Sequence, residues 1–138
     1  MRWSDRDKRA EMSEPGTIFA IMPEIGFCSW QLTEDYEWID HLERECAVPC
    51  LYVYELQIDP KFQKKGYGRQ LMEMGHKAAL DAGIHKVKLT VFKQNKAALH
   101  FYKQLGYEID CTDASLHEEY EEGGESVSYH ILSRQVYL

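Results

Sequence analysis

A short loop followed at once by a helical pattern carries the clearest chemistry in this sequence. Loop and first turn hold two glycines, three cations and two further side chains: Gln63, Lys64, Lys65, Gly66, Tyr67, Gly68 and Arg69. Glycines let the backbone turn and expose successive N–H groups, and a helix N-terminus adds partial positive charge. The combination predicts a pocket for a pyrophosphate. It matches neither GxxxxGK[ST] nor GxGxxG, and a glycine turn with solvated lysines is the alternative.

A second stretch, LTVFKQNKAALHFYKQLGYE, joins a predicted strand to a short helix. Asn95 stands where this helix begins, and its side chain could simply cap the first turn. Tyr102 follows seven residues later, two turns along on the same side of the helix, and could simply belong to the core. Together with the glycine loop, both residues become candidates for a ligand site.

Glu55 lies in LYVYELQI, a run of apolar and aromatic residues where an unpaired carboxylate would be costly. It is therefore a candidate general base, and a glutamate on a solvated strand face is the alternative. In a regular strand Tyr52 and Tyr54 share one face and Glu55 lies on the other. All three can serve one site only if the strand is distorted.

The elements that must position these residues follow from periodicity. TIFAIM (residues 17–22) and GFCSWQL (residues 26–32) predict a hairpin turned at Pro23. The acidic segment from Thr33 to Pro49 predicts an irregular loop with one helical turn. Residues 48–59 give the strongest strand signal, and Pro60 ends it.

Helical spacing follows over residues 64–82, with Gly83 where a C-terminal cap belongs. The predicted apolar stripe of this helix consists of Leu71, Met74, Ala78 and Ala82. The remaining predicted elements are a helix over residues 3–12, a strand over 86–92, a helix over 95–105 closed by Gly106, and strands over 107–109 and 126–138. This order indicates one mixed α/β domain around one sheet, spanning residues 1–138.

Composition excludes several classes of protein. The chain of 138 residues is 44% hydrophobic and 28% charged, which is typical of a globular domain. It has no apolar run of the ~18–20 residues that a membrane span requires and no apolar core of a secretory signal, so we expect a cytoplasmic and nuclear protein with no membrane partner. The four cysteines form no paired CxxC units, so we expect reduced thiols and no metal site.

The net charge of −7 is unevenly distributed. Residues 51–104 carry 10 basic and 4 acidic side chains, whereas both flanking segments are strongly acidic. A basic middle between acidic flanks suggests an anionic ligand held centrally and a cationic partner, with solvated surface charge as the alternative. Direct nucleic acid binding is not expected of so acidic a chain.

The two motifs together resemble the GNAT acetyltransferase superfamily. Its members bind the pyrophosphate of acetyl-CoA on a Q/RxxGxG/A loop and carry an Asn…Tyr helix that ends in a Gly-aromatic pair. The corresponding elements here are QKKGYG, Asn95, Tyr102 and the Gly106-Tyr107 pair, in the same order and spacing. The resemblance implies the GNAT fold, acetyl transfer to an amine, and acetyl-CoA as cosubstrate.

Further stretches resemble the NatD branch of N-terminal acetyltransferases: WSDRDKRAEM, LYVYELQI, LTVFKQN and SYHILSR. That branch acetylates the α-amino group of histones that begin Ser-Gly-Arg-Gly. The resemblance implies a protein N-terminal peptide as partner, a histone tail in particular, and a monomeric enzyme. The NatD pattern has a further N-terminal segment and an acidic residue about where Thr33 stands. A GNAT enzyme acting on a small amine or a lysine side chain is the alternative.

The resemblance also implies catalytic roles. Glu55 corresponds to the proposed general base of the YxYE pattern, acting through water. An α-amino group has a pKa near 8, so a modest base suffices at neutral pH. Tyr102 would protonate the departing thiolate, and Tyr54 would act beside Glu55 and line the amine pocket with Tyr52.

The acetyl-CoA site implied by the resemblance uses a β-bulge in the strand of Glu55. A bulge splays the strand and exposes backbone N–H groups to the thioester. We expect donors from Leu56 and Ile58, with Gln57 between them, and an oxyanion contact at Ile58. Asn95 and the glycine loop complete the predicted cosubstrate site.

The peptide site is the remaining expectation. Side chains that correspond to the peptide mouth of the NatD pattern are Trp3, Tyr52, Tyr54, Thr90, Thr112 and Tyr129. The acidic side chains Glu34, Asp35 and Glu37 are where we expect a basic tail to dock.

Overall fold

The computed structural model describes residues 16–39, 42–116 and 127–137. Its strands and helices, in chain order, are β1 (Thr17–Met22), β2 (Gly26–Ile39), β3 (Arg44–Ile58), α1 (Tyr67–Asp81), β4 (Lys86–Phe92), α2 (Lys96–Gln104), β5 (Glu108–Ile109) and β6 (Tyr129–Gln135). The predicted helix over residues 3–12, which includes Trp3, lies outside the described residues.

The strands form one mixed sheet in the order β1-β2-β3-β4-β6-β5. Neighbouring strands are antiparallel except β3 and β4, which are parallel and are joined through α1. A parallel pair needs such a crossover, because its strands run in the same direction. The predicted mixed α/β class is confirmed.

The two faces of this sheet differ. Leu51 and Val53 on β3 point toward the helices and are 0% and 6% exposed. Side chains alternate along a strand, so Tyr52 points to the opposite side, where Lys88 and Thr90 of β4 also lie. We call the side that carries Tyr52, Lys88 and Thr90 the outer face.

The predicted hairpin of β1 and β2 is confirmed. Its turn at residues 23–25 is closed by a hydrogen bond from the Ile25 N–H to the Met22 carbonyl at 3.0 Å. Glu24 within this turn has a φ of 68°.

The prediction of a loop from Thr33 to Pro49 was wrong, because residues 33–39 extend β2 and residues 44–49 begin β3, and the two strands pair from Ile39 and Arg44 onward. On the outer face, Lys86 of β4 pairs with Asp35 at 2.8 Å and with Glu37 at 3.3 Å. These ion pairs neutralise acidic side chains that β2 would otherwise place close together on one face. Lys86 stands far along the chain, so local sequence does not reveal the strand.

Helix α1 begins three residues later than predicted and buries a different stripe. Lys64 and Gly66 have φ values of 62° and 88°, outside the helical region, so the helix starts at Tyr67. Met74 of the predicted stripe is 48% exposed, and Ala82 is the exposed C-cap residue. The residues that α1 buries are Leu71, Met72, Gly75, His76 and Ala79.

Gly75 explains this rotation of the helix. A Cβ atom at Gly75 would lie 2.3 Å from the Trp30 ring, so only glycine lets the helix backbone approach that indole. Trp30 on β2 is fully buried and belongs to the hydrophobic core. The helix therefore packs on the side that carries Gly75 rather than on the predicted stripe.

The later elements agree with prediction to within a few residues. β4 covers residues 86–92 as predicted, and α2 covers 96–104 with Asn95 as N-cap. Gly106 closes α2 with a φ of 89°, and Gly83 follows α1 with a φ of 74°. β5 and β6 are shorter than predicted, at residues 108–109 and 129–135.

No helix in the described part of the chain is long and apolar enough to span a membrane. None of the four cysteines forms a disulfide bond within the described residues, and Cys28 and Cys50 are buried.

Candidate active site

A gap opens between the two central strands. β3 and β4 pair only through Leu51–Val87, Tyr52–Lys88 and Val53–Leu89. Both strands continue beyond this point, β3 to Ile58 and β4 to Phe92, without pairing to each other. The gap faces the loop before α1 and leaves one edge of β3 without a strand partner.

The distortion of β3 expected from the resemblance is confirmed. Ser29 of β2 pairs with Glu55 and the next residue, Trp30, pairs with Val53, so Tyr54 is an extra residue on β3. One extra residue reverses the alternation of the strand beyond it. Glu55 therefore lies on the outer face with Tyr52 and Tyr54, instead of opposite them.

The backbone of β3 beyond the bulge directs hydrogen-bond donors into the gap. The N–H of Asp59 donates to the Ile25 carbonyl at 2.7 Å, on the β2 side. Successive N–H groups of a strand point in opposite directions, so those of Leu56 and Ile58 point away from β2, toward the gap. The N–H of Gln57 points toward β2. The N–H groups of Leu56 and Ile58 are the donors that the sequence predicted for acetyl-CoA.

The glycine loop forms the far end of the gap. Its shape depends on the positive φ of Lys64 and Gly66, and the Gln63 amide fixes it by donating to the Ile58 carbonyl at 3.0 Å. The Gln70 N–H makes the first α-helical bond, to Gly66, which leaves the N–H groups at the start of α1 open to an anion.

The side chains around this loop suit a pyrophosphate. Lys64, Lys65 and Arg69 are exposed and form no salt bridge with a described residue, and no acidic residue occupies the first turn of α1. The Lys65 ammonium lies 5.9 Å from the centre of the Phe62 ring. The residues present therefore fit the phosphates of acetyl-CoA.

Gly68 lets helix α2 pack close to the glycine loop. A Cβ atom at Gly68 would lie 3.3 Å from the Phe101 ring of α2 and 3.8 Å from Leu56. Asn95 caps α2 by accepting from the Ala98 N–H at 3.1 Å, as the simpler interpretation expected. Its predicted contact with acetyl-CoA stays a prediction.

Tyr102 of α2 lies beside the gap. Its ring packs edge-on against Phe101 and Tyr107, with centroid distances of 5.1 and 5.7 Å. Burial raises the pKa of Tyr102 to about 12, so its hydroxyl is protonated at neutral pH. Cys28, which pairs with Leu56, is among the groups that contribute to this shift.

The outer face beside the gap carries the predicted amine pocket. The Tyr52 hydroxyl hydrogen-bonds the Thr90 hydroxyl, which joins β3 to β4. The Tyr54 ring packs edge-on against Tyr52 with centroids 6.0 Å apart and is 53% exposed. On the far side of β4, Tyr129 of β6 pairs with Phe92.

Glu55 is held on the same face. The Gln57 amide donates to its carboxylate at 2.9 Å, since the two residues are again two positions apart on one side of the strand. Gln57 was predicted as a cosubstrate contact, and the structure places its side chain on Glu55.

Two acidic residues of β2, Asp35 and Glu37, form ion pairs within the sheet. Asp35 pairs with Lys86 and lies 3.3 Å from Lys88, and Asp110 contacts the same two lysines at 3.1 and 3.4 Å. Burial alone would lower the pKa of Lys86, but its hydrogen bonds to Asp35 and Asp110 outweigh burial and hold it above its usual value. This network corrects the expectation that Asp35 receives a basic tail.

A polar groove continues from Tyr129 across the outer face of β6. Its carboxylates are Glu37, Glu45, Glu108 and Asp110. Thr112, predicted at the peptide mouth, lines this groove and donates its backbone N–H to Asp110 at 3.0 Å. Sequence reasoning missed Glu45 and Glu108, because pairing of distant strands brings them together.

Sequence reasoning also missed Ser29 and Phe92. Ser29 lies opposite the bulge, and Phe92 is 67% exposed at the end of β4 beside the gap. Alternation with Thr90 could have placed Phe92 on the outer face, whereas no local signal marks Ser29.

Comparison with known proteins agrees with this geometry. The model of the acetyltransferase (GNAT) family matches residues 3–107, about three quarters of the chain. The chain belongs to the GNAT family. Acetyl-CoA, the cosubstrate predicted from the sequence, is the acetyl donor that this membership brings.

Curated GNAT relatives have more than one kind of substrate. N-alpha-acetyltransferase 40 of Saccharomyces cerevisiae is 29% identical over 113 residues, covering 73% of this chain and 40% of that protein. Mycothiol acetyltransferase of Segniliparus rotundus is 30% identical over 121 residues, covering 82% of this chain and 43% of that protein. The chain thus spans less than half the length of these relatives.

A solved GNAT structure has the same fold. Arabidopsis thaliana NAA60 in complex with acetyl-CoA superposes with a TM-score of 0.69 at 15% identity, covering 99% of this chain and 85% of that chain. At this identity the likeness concerns the fold alone.

Proposed function

We propose that this GNAT protein transfers the acetyl group of acetyl-CoA to the N-terminal α-amine of a protein, a histone that begins Ser-Gly-Arg-Gly. The observation that carries the proposal is the bulge at Tyr54, which puts Glu55 on the same face as Tyr52 and Tyr54 beside the gap. The yeast N-alpha-acetyltransferase 40 likeness supports the choice of an α-amine.

The chemistry follows from these positions. Glu55 accepts a proton from the ammonium through water, and the neutral nitrogen attacks the thioester carbonyl. The Ile58 N–H stabilises the oxyanion while the C–N bond forms. The C–S bond then breaks, and Tyr102 gives its proton to the departing thiolate. The new amide nitrogen and Glu55 each release a proton to water, and Tyr102 regains its own from solvent, so that one proton is released for each ammonium group acetylated.

The groove on the outer face supports a basic residue downstream of the amine. It runs from Tyr129 toward Glu45 and Glu108, and the two cations among its described residues are already paired, Lys86 with Asp35 and Asp110 and Arg134 with Glu73. A guanidinium and a carboxylate form charge-assisted hydrogen bonds of ~1.5–3 kcal/mol. The arginine of Ser-Gly-Arg-Gly would be such a residue.

Release of free CoA tests the proposal with three amines: the peptide Ser-Gly-Arg-Gly, the same peptide with a blocked N-terminus, and spermidine. We expect turnover with the free peptide alone, and mass spectrometry should locate the acetyl group on the α-nitrogen. Replacing arginine in the peptide by alanine should lower kcat/KM roughly 10–150-fold. Equal rates for the two peptides, or acetyl on a side chain, would refute the N-terminal assignment.

Glu55→Gln tests the base in the same assay. We expect kcat to fall by roughly 10²–10⁴-fold, with recovery at high pH, where the amine is already neutral. Asp81→Asn, an exposed change at the end of α1, is the matched control. Near-normal turnover of Glu55→Gln at pH 7 would place the base elsewhere.

A small amine is the second candidate substrate. The mycothiol acetyltransferase of Segniliparus rotundus covers more of this chain than the yeast N-alpha-acetyltransferase does. Under this alternative the spermidine arm, or another small amine, would release CoA while the peptide would not.

The proposed substrate also bears on location and assembly. We propose a monomer that acts in the cytoplasm and nucleus, where a histone tail is accessible. Size-exclusion chromatography with light scattering checks the monomer, and fluorescence of a tagged full-length protein checks the location.

A further inference from the structure

Ser29 on β2 is directly opposite Glu55 on the neighbouring strand β3. Its neighbours Cys28 and Trp30 point into the core, where Cys28 contacts Met72, so Ser29 points to the outer face. It is the single residue opposite the bulge, and the side chains at such a position lie on the same side of the sheet. Ser29, Tyr54 and Glu55 thus form one cross-strand group.

The hydroxyl of Ser29 is an exception among buried polar groups. The residue is 0% exposed, and its Oγ has no hydrogen-bond partner in the described part of the chain. A buried hydroxyl without a partner costs roughly 1–3 kcal/mol, and most proteins avoid it. Alanine would fill the same position without this cost, so stability does not account for serine.

Geometry supplies the missing partner. Cβ atoms of directly opposite residues are about 4.5–5.5 Å apart, so a serine hydroxyl reaches a glutamate carboxylate by side-chain rotation alone. Glu55 receives the Gln57 amide on Oε2, and a carboxylate has sites for several further donors. Rotation about the Glu55 side chain would bring a second donor, Ser29, onto the same group.

We propose that Ser29 is a positioning residue whose hydroxyl donates a hydrogen bond to the Glu55 carboxylate while the substrate amine is bound. The inference rests on the proposed function, in which Glu55 accepts the amine proton. The bond would favour the ionised carboxylate and fix its orientation, so that the base is ready before the amine loses its proton. Ser29 keeps its own proton throughout.

Several groups near Glu55 have established contacts elsewhere. On its own strand Tyr52 and Tyr54 share the outer face, and Tyr52 is engaged with Thr90. On β4, Lys88 pairs with Tyr52 in register and forms ion pairs with Asp35 and Asp110. On β1, Phe19 pairs with Ser29 and is apolar.

Ser29→Ala tests the proposal through activity, pH dependence and stability together. We expect kcat to fall about 10-fold, and the acid limb of the pH profile of kcat, which reports the complex with bound substrate, to move to higher pH by about one unit, because the ionised carboxylate loses a donor in that complex. The melting temperature should stay equal or rise, since an unpartnered buried hydroxyl is removed. Ser29→Thr should retain the profile if it folds, and Ser128→Ala, an exposed serine, is the control.

A double variant separates a role through Glu55 from a change in packing. In a Glu55→Gln background the further change Ser29→Ala should have no kinetic effect. A full additional loss in that background, or an unchanged profile and kcat in Ser29→Ala alone, would overturn the inference. Those results leave the proposed function standing, whereas a wild-type protein without activity on any α-amine refutes the function itself.

Discussion

The chemistry proposed for Tyr102 depends on where its ring is buried. Burial raises the pKa of Tyr102 to about 12, which keeps the hydroxyl protonated but makes it a weak acid. A thiol such as that of cysteine has a pKa near 8.5. The hydroxyl therefore acts mainly by hydrogen-bonding the thiolate as the C–S bond breaks, with proton transfer completed late.

Tyr102→Phe should accordingly have a moderate effect. Loss of one hydrogen bond to a charged group corresponds to roughly a 10–150-fold decrease in kcat. The decrease should be constant from pH 6 to pH 9, because the hydroxyl does not titrate in that range, whereas the decrease for Glu55→Gln should shrink. Steady-state kinetics across this range checks both, and a Tyr102→Phe effect that disappears at high pH would contradict the assigned role.

At the residue scale, the sequence identified the candidate site residues but not which of them share one face of the sheet. Alternation alone places Glu55 opposite Tyr52 and Tyr54, and only the bulge, expected from the resemblance, unites them. The partner of the bulge, Ser29, could not be found in this way. Its role depends on register between two strands, which no local pattern encodes.

Helix α1 and strand β2 pack through one close contact, between Gly75 and Trp30, that the composition of the helix does not indicate. Glycine in the middle of a helix is usually unfavourable, by about 1 kcal/mol relative to alanine. Gly75 is an exception because its missing side chain makes room for Trp30, which is fully buried. This contact sets the angle at which α1, and with it the glycine loop, meets the sheet.

Gly75→Ala should therefore destabilise the protein, although the same change stabilises an exposed helix. A Cβ atom 2.3 Å from the indole forces helix or ring to move, at a cost of about 1–3 kcal/mol or more. Thermal and urea unfolding measure the change, with Met74→Ala, at a half-exposed neighbouring position, as control. A Gly75→Ala protein as stable as wild type would mean that α1 does not rest on Trp30.

The loop before α1 should bind acetyl-CoA through its backbone and its cations. At a concentration 100 times Kd, a ligand of the native state adds ~2.7 kcal/mol of stability. The double change Lys65→Glu with Arg69→Glu places negative charge at exposed positions beside the helix N-terminus. If affinity falls about 100-fold, the gain shrinks to about 0.4 kcal/mol.

Differential scanning fluorimetry with and without acetyl-CoA measures this loss. The double change Lys77→Glu with Lys103→Glu, also at exposed positions, alters net charge equally away from the loop and should keep the full thermal shift. An unchanged shift in the loop variant would remove the glycine loop from the cosubstrate site.

At the element scale, the sequence predicted what local periodicity controls. Helix ends marked by Asn95, Gly83 and Gly106 agree with the structure. The prediction of a loop from Thr33 to Pro49 does not agree with the structure, because the strands formed there depend on ion pairs with Lys86 of β4.

The whole molecule brings its acidic and basic segments into contact. Lys86 and Lys88 from the basic middle bind Asp35 from the first acidic segment and Asp110 from the last. Part of the charge pattern that suggested an external cationic partner is therefore satisfied inside the sheet. What remains for a partner is the set of carboxylates in the groove, chiefly Glu45 and Glu108.

The same distribution of charge predicts how stability depends on pH. Asp113 fastens the segment after β5 to β6, since its carboxylate accepts from the Ile131 N–H at 2.6 Å and from the Ser115 N–H at 3.2 Å. Burial alone would raise the pKa of Asp113, but the hydrogen bond from the Ser115 hydroxyl, together with those of the two backbone N–H groups and of His130, lowers it to about 2. Its ordinary value is 3.8. The carboxylate therefore contributes on the order of 2 kcal/mol above pH 4.

That contribution should disappear as the pH falls from about 4 to about 2, because the folded state then takes up the proton that the unfolded state already holds. Asp113→Asn lacks the titrating group, so its melting temperature should lie below that of wild type at pH 7, and the difference should close by pH 2. Thermal unfolding by circular dichroism at pH 7, 5, 4, 3 and 2 measures the difference, with Asp81→Asn as the control. A difference that stays constant down to pH 2 would show that Asp113 acts through shape and not through its charge.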